Sequence, residues 1–235
     1  MSTDPLSRLT YLLIQIRNPG DPIREQEVDC FARALECEPR RIEPINLIAE
    51  APSSAQLEEV DAVLIGGSGE YSVTVEGEWL DRGLDTMREL YETGKPTFAS
   101  CWGFQAMARA LDGEVVHDLE RAELGTYPLT LTDTGRVDPI FSELGTPFDA
   151  LVGHQDVVTK LPEGAELLAS SERVAHQAFR MRNAPIYATQ FHPELDLDTF
   201  LERVWAYPEY VERITGQDME TFAAACRPAP ASRTL

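Results

Sequence analysis

Short apolar runs and helical repeats alternate through the first half of the chain. Residues 9–16, L-T-Y-L-L-I-Q-I, form an apolar run of strand length, cut off by R-N-P-G-D-P. Val28, Phe31, Ala32 and Leu35 then recur at helical spacing within residues 24–36. R-I-E-P-I-N-L-I (41–48) reads as a strand, and Pro44, which lacks an N–H for the ladder, puts it at a sheet edge. V-D-A-V-L-I-G-G (60–67) reads as a central strand. A helix from Trp79 to Thr93 follows, stopped by Gly94 and Pro96. After the short run T-F-A-S comes Cys101, then a helix through Leu111 that closes on Gly113. Strands and helices alternating at this spacing predict βαβ units and a parallel sheet.

Beyond residue 113 the texture changes. The runs 126–132, 166–170, 174–180 and 185–191 have no long helical repeats between them, which predicts antiparallel strands. Helical spacing returns over 196–215. The tail A-C-R-P-A-P-A-S-R-T-L has no apolar periodicity and is expected to be frayed. The predicted class is therefore α/β: a mostly parallel central sheet flanked by helices, with a smaller antiparallel sheet from the C-terminal half.

Composition excludes more than it identifies. A chain of 235 residues suffices for one sizeable core. Forty acidic residues against 20 basic give a net charge of −20, which would repel the phosphates of a nucleic acid. No window approaches the ~18 apolar residues of a membrane span. The N-terminus, with Asp4 and only a short apolar run after it, lacks the features of a signal peptide. Four cysteines, at 30, 37, 101 and 226, form no C-x-x-C pair, which fits reduced thiols in a cytoplasmic chain. Gly94-Lys95 lacks the spacing of a phosphate-binding loop. His117, His154 and His176 lack metal-ligand spacing, so no metal or other cofactor is expected.

Three segments carry chemistry. Cys101 stands between a strand and a helix with small residues, Ala99 and Gly103, two positions to either side. That is the spacing of a nucleophile elbow, where neighbouring side chains approach closely. The helix that follows would aim N–H groups and its positive dipole end at the sulfur. On its own the residue is equally a packed core thiol. Q-F-H-P-E (190–194) follows another strand. His192 and Glu194 are two apart, on one face of an extended chain, so His192 can serve as the base and Glu194 can fix its tautomer. G-G-S-G-E-Y-S-V (66–73) follows the 60–67 strand, and its glycines allow backbone N–H groups to face an anion.

Together these segments resemble the class I (triad-type) glutamine amidotransferase family. A-S-C-W-G-F-Q matches the family's G-x-C-x-G-x-Q except at Ala99, and His192-Pro193-Glu194 matches its H-P-E. R-A-E-L-G (121–125) is similar to the family's R-E-x-G element, and V-G-H-Q-D-V-V to the H-x-D segment lining the glutamine pocket. All occur in family order over about residues 9–206, leaving 207–235 as a helical extension and tail. The resemblance implies a flavodoxin-like fold that hydrolyses the glutamine side-chain amide through a thioester on Cys101, with His192 and Glu194 completing the triad. It implies an oxyanion hole from the N–H groups of Trp102 and of Gly67 or Ser68. It also implies glutamine contacts from Gln105, Gln155 and Asp156. The residues beyond the resemblance are too few for a synthase domain, so any ammonia acceptor is expected on a separate synthase subunit. Two alternatives stay open: a hydrolase of γ-glutamyl peptides or conjugates using the same triad, and a non-catalytic binding or regulatory protein.

Overall fold

The computed structural model describes residues 8–229 and 231. Its strands are β1 (Tyr11–Ile16), β2 (Ile42–Asn46), β3 (Ala62–Ser68), β4 (Thr97–Ser100), β5 (Glu114–His117), β6 (Glu123–Leu131), β7 (Phe148–His154), β8 (Asp156–Lys160), β9 (Ala165–Ser170), β10 (Ala178–Met181) and β11 (Ile186–Thr189). Its helices are α1 (Ile23–Ala34), α2 (Ser54–Glu59), α3 (Glu78–Thr93), α4 (Trp102–Ala110), α5 (Asp133–Val137), α6 (Leu197–Ala206), α7 (Glu209–Thr215) and α8 (Met219–Ala225).

The parallel half follows from its apolar runs. All six residues of β1 are buried. Leu12, Ile14 and Ile16 pack into the cluster that α3 and α4 cover, while Tyr11 and Leu13 meet Phe31 of α1 on the other face. Pro44 lies in β2 at the sheet edge, opposite Leu13, where its missing N–H leaves no ladder bond unmade. Gly94 caps α3 in the left-handed conformation, with φ +65°.

The antiparallel strands are arranged differently from the expectation. Most do not form a sheet of their own; they extend the parallel one, in the order β2-β1-β3-β4-β11-β10-β9-β6-β7. The separate small sheet is the antiparallel pair β5–β8. β11 is the hinge of this mixed sheet, parallel to β4 on one side and antiparallel to β10 on the other. Apolar runs cannot distinguish these cases, because a strand buried on both faces reads alike in either direction.

The tail also differs. Arg227 N–H donates to Thr126 Oγ1 at 2.8 Å, and Ala229 and Ala231 are buried. Small side chains let an aperiodic strap lie flat against β6, which periodicity cannot register; residues 230 and 232–235 lie outside the described residues. Ahead of it, Val211 of α7 and Phe222 of α8 join Leu124, Leu151, Phe200 and Val204 in one apolar cluster. Among the described residues no helix is long and apolar enough to cross a membrane.

The topology sets up the site. β3, β4 and β11 run parallel and adjacent, with Ile65 beside Ala99 and Thr189 beside Ser100. The last residues of β3 with Gly69, and residues 101 and 190–194 that follow β4 and β11, therefore emerge together. Such ends are where open parallel sheets hold their ligands.

Candidate active site

Cys101 joins β4 to α4 at φ +51°, ψ −100°, a conformation in which a residue with a Cβ is strained. Its N–H donates to Thr189 O at 2.8 Å, tying the turn to β11. Gly103 makes the turn possible, since a Cβ there would fall 2.7 Å from Ile65 Cγ2 and 3.0 Å from the Ile65 carbonyl oxygen. Ala99 is fully buried two residues before the thiol, so its methyl is accommodated within the sheet. The sulfur is nearly buried, and its S–H donates to Gly153 O at 3.4 Å.

His192 and Glu194 meet, but not along an extended chain. Leu195 N–H donates to His192 O at 3.3 Å, closing a turn around Pro193 and Glu194 that brings Glu194 Oε1 to 2.7 Å from His192 Nδ1. Both side chains are buried. Burial opposes charge on the imidazole, but the Glu194 carboxylate, and after it the Cys101 sulfur, outweigh burial and push its pKa up to about 9. Burial likewise opposes charge on Glu194, and His192 followed by Arg203 hold its carboxyl below the usual range all the same. Arg203 of α6 stands 3.4 Å from Glu194 Oε1 and receives support from Gln26 of α1 through its Nε. Sequence reading missed Arg203: one arginine among the polar positions of a helix carries no signal of what it will face.

The 66–69 segment closes the third side. A Cβ on Gly67 would sit 3.0 Å from His192 Cε1, 3.6 Å from Cys101 Cβ and 3.9 Å from its sulfur, so this backbone passes directly over the thiol and the imidazole. Trp102 begins α4, where the first helical N–H groups have no intrahelical acceptor. Ser68 accepts from Tyr71 N–H at 2.8 Å and lines the cleft.

That cleft, about 190 Å³, brings the remaining expected residues together, with Cys101, Trp102 and Ser68 in the same wall as Gln105, Gln155 and Asp156. Gln105 is buried, and its Nε2 donates to Asp156 O and to Gln190 Oε1, each at 3.1 Å. Gln155 holds the wall through its carbonyl, which accepts from Asp118 N–H at 2.9 Å. The Asp156 carboxylate accepts from Ser72 Oγ at 2.5 Å and pairs with His117 Nδ1 at 2.9 Å.

Two features were not legible. The 121–125 and 153–156 segments meet across β6–β7, where Glu123 pairs in register with His154 and its Oε2 lies 3.2 Å from His154 Nε2. Tyr210 and Arg213 of α7 reach the thiol cleft from the segment set outside the domain. Among the described residues no group of three or more His, Cys, Asp or Glu is arranged to hold a metal ion.

Known proteins share this architecture. The family profile described as glutamine amidotransferase class-I matches residues 30–205. A glutamine-hydrolysing GMP synthase subunit of Methanocaldococcus jannaschii is 38% identical over 100 residues, covering 43% of this chain and 51% of that protein. The corresponding subunit of the Archaeoglobus fulgidus GMP synthase is 31% identical over 149 residues, covering 63% of this chain and 74% of that one. The chain thus spans about half the length of the first of these relatives. The crystal structure of a glutamine amidotransferase from Thermotoga maritima superposes with a TM-score of 0.73 at 20% identity, over 92% of this chain and 89% of that one, a likeness of fold.

Proposed function

The chain belongs to the class-I glutamine amidotransferase family, and from this we propose that it hydrolyses the side-chain amide of glutamine and passes the ammonia to a synthase on a separate polypeptide. The observation that carries the reading is the convergence at three strand ends of a strained Cys101, a His192–Glu194 pair and the Gly67 backbone.

Before attack His192 already holds the proton given up by Cys101, since the raised pKa of the ring favours the imidazolium. The thiolate attacks the carboxamide carbon, and N–H groups of Trp102 and of Gly67 or Ser68 hold the oxyanion. The imidazolium protonates the departing nitrogen; the C–N bond breaks, ammonia leaves and a γ-glutamyl thioester remains. Water, deprotonated by His192, then attacks the thioester, the C–S bond breaks, and glutamate and the thiol are released. Glu194 keeps the ring oriented throughout, and Arg203 steadies Glu194. Gln105, Gln155 and Asp156 shape the wall that receives the substrate. Relatives described as individual subunits of GMP synthase support a partner synthase.

Ammonia release from glutamine, together with mass-spectrometric capture of a covalent adduct on Cys101 by a glutamine-mimicking electrophile, tests the reading. Absence of both, with and without a synthase partner, would reject it. A panel of γ-glutamyl dipeptides run alongside tests the substrate. If the dipeptides were cleaved and glutamine left intact, the protein would be a γ-glutamyl hydrolase on the same triad.

A further inference from the structure

The chain beyond residue 205, which the family profile does not reach, returns to the thiol cleft. α7 places Tyr210 and Arg213 in its wall, beside Ser68, Cys101 and Trp102. Tyr210 is fixed on both sides: its hydroxyl donates to the Gly69 carbonyl, and the next residue, Val211, is fully buried. The Arg213 guanidinium carbon lies 4.5 Å from the centroid of the Tyr210 ring. A guanidinium has five N–H donors, so one held over an aromatic ring still has donors to offer a planar anion.

The other charged groups of the wall are already engaged. Asp156 is bound to Ser72 and His117, Glu70 accepts from Asn18, and His154 faces Glu123. Arg213, by contrast, forms no ion pair with a carboxylate among the described residues. In a chain of net charge −20, an anionic ligand meets repulsion almost everywhere, so one cation in the thiol cleft whose charge no described carboxylate neutralises has a disproportionate effect. In a γ-glutamyl group four single bonds separate the reacting carbonyl carbon from the α-carboxylate carbon. A substrate with its amide at Cys101 therefore carries its α-carboxylate to another part of the same cleft wall.

We propose that Arg213, braced by Tyr210, receives the α-carboxylate of the substrate and makes a free α-carboxylate a condition of tight binding. The assignment rests on the reading of Cys101 as the acylated thiol. It concerns the acyl half alone, so it applies to glutamine and to a γ-glutamyl conjugate alike.

The test compares labelling of Cys101 by a glutamine-mimicking chloroketone bearing a free α-carboxylate with labelling by its α-carboxamide counterpart, while iodoacetamide reports the thiol itself. Wild type should prefer the acid by roughly ten- to a hundredfold, the usual weight of a charge-assisted pair. In Arg213→Gln that preference should collapse toward unity while the iodoacetamide rate changes by less than about twofold, and Arg213→Lys should restore part of it. With glutamine, KM should rise by the same factor and kcat should fall much less. A protein that hydrolyses glutamine but keeps its acid preference in Arg213→Gln overturns the assignment and leaves the thioester reading standing. A wild type whose Cys101 no γ-glutamyl compound acylates overturns both.

Discussion

His192 and His154 each lie buried against a glutamate, yet the two pairs are built in opposite ways and serve different ends. His192 and Glu194 are two residues apart and meet within one turn. His154 and Glu123 are 31 residues apart and meet only because β6 and β7 pair in that register. Glu194 gives its Oε1 to the imidazole and to Arg203, and the ring it supports touches the space over Cys101 and Gly67. Glu123 is divided among His154 Nε2, Ser171 Oγ and Gln177 Nε2, which makes it a knot between strands. Identical residue types therefore give a pair that faces the thiol in one place and a structural tie in the other. The difference lies in what the far edge of the ring faces and in how many donors share the carboxylate.

The largest effect should come from removing what only the first pair faces. Cys101→Ala should lower ammonia release by at least about 10⁴-fold and abolish electrophile capture, with both histidine pairs intact by thermal unfolding. Persistence of the adduct in that variant would move the nucleophile elsewhere. Glu194→Gln should come next, lowering kcat by on the order of 10²–10⁴-fold, because the ring loses the anion that orients it and stabilises its charge. Glu123→Gln should do the reverse. It brings an amide donor against existing donors and should cost about 2–3 kcal/mol in a urea titration. It should change kcat by less than about tenfold, because no reacting atom is involved. If Glu123→Gln, still folded by circular dichroism, lost as much activity as Glu194→Gln, the division between a thiol-facing pair and a structural tie would fail.

What could be read in advance follows the same line. That Cys101, His192 and Glu194 come together was legible because each lies near the end of an apolar run, and sequence neighbours set their geometry. Even there the turn at Pro193, rather than an extended chain, makes the contact. The alternation of β1 to β4 with helices in a parallel sheet was legible from apolar runs separated by helical repeats, as was the edge position of β2 from Pro44. The merging of the antiparallel strands into the same sheet was not, since register and direction leave no trace in a run such as 166–170. Glu123 was visible only as part of a motif, and its partner depended on that register. Arg203, Tyr210 and Arg213 sit on helices whose polar positions look alike until packing selects one face. Sequence thus reveals site residues that local chain geometry places, and hides those delivered by tertiary packing.

The finest test of the contrast is the pH dependence of stability. The folded imidazole of His192 titrates at about 9, against an ordinary value of 6.5. A group whose pKa is raised on folding contributes fully below its unfolded value, and that contribution is lost as pH rises through the folded one. Glu194, held below the usual carboxylate range, contributes at all pH values above that range. The first pair should therefore weaken at both ends of the scale, as Glu194 takes up a proton below the ordinary carboxylate range and as His192 loses its own at alkaline pH; on the alkaline side wild type should lose on the order of 1 kcal/mol between pH 6.5 and about 8. His192→Gln removes the titrating ring and should flatten that decline in urea midpoints measured across the range. Cys101→Ala should flatten it in part, since the sulfur is the second support of the imidazolium. A variant of His154 that abolished the decline, with His192 untouched, would assign the titration to the wrong pair. The charge that the mechanism needs would then have no source at the thiol.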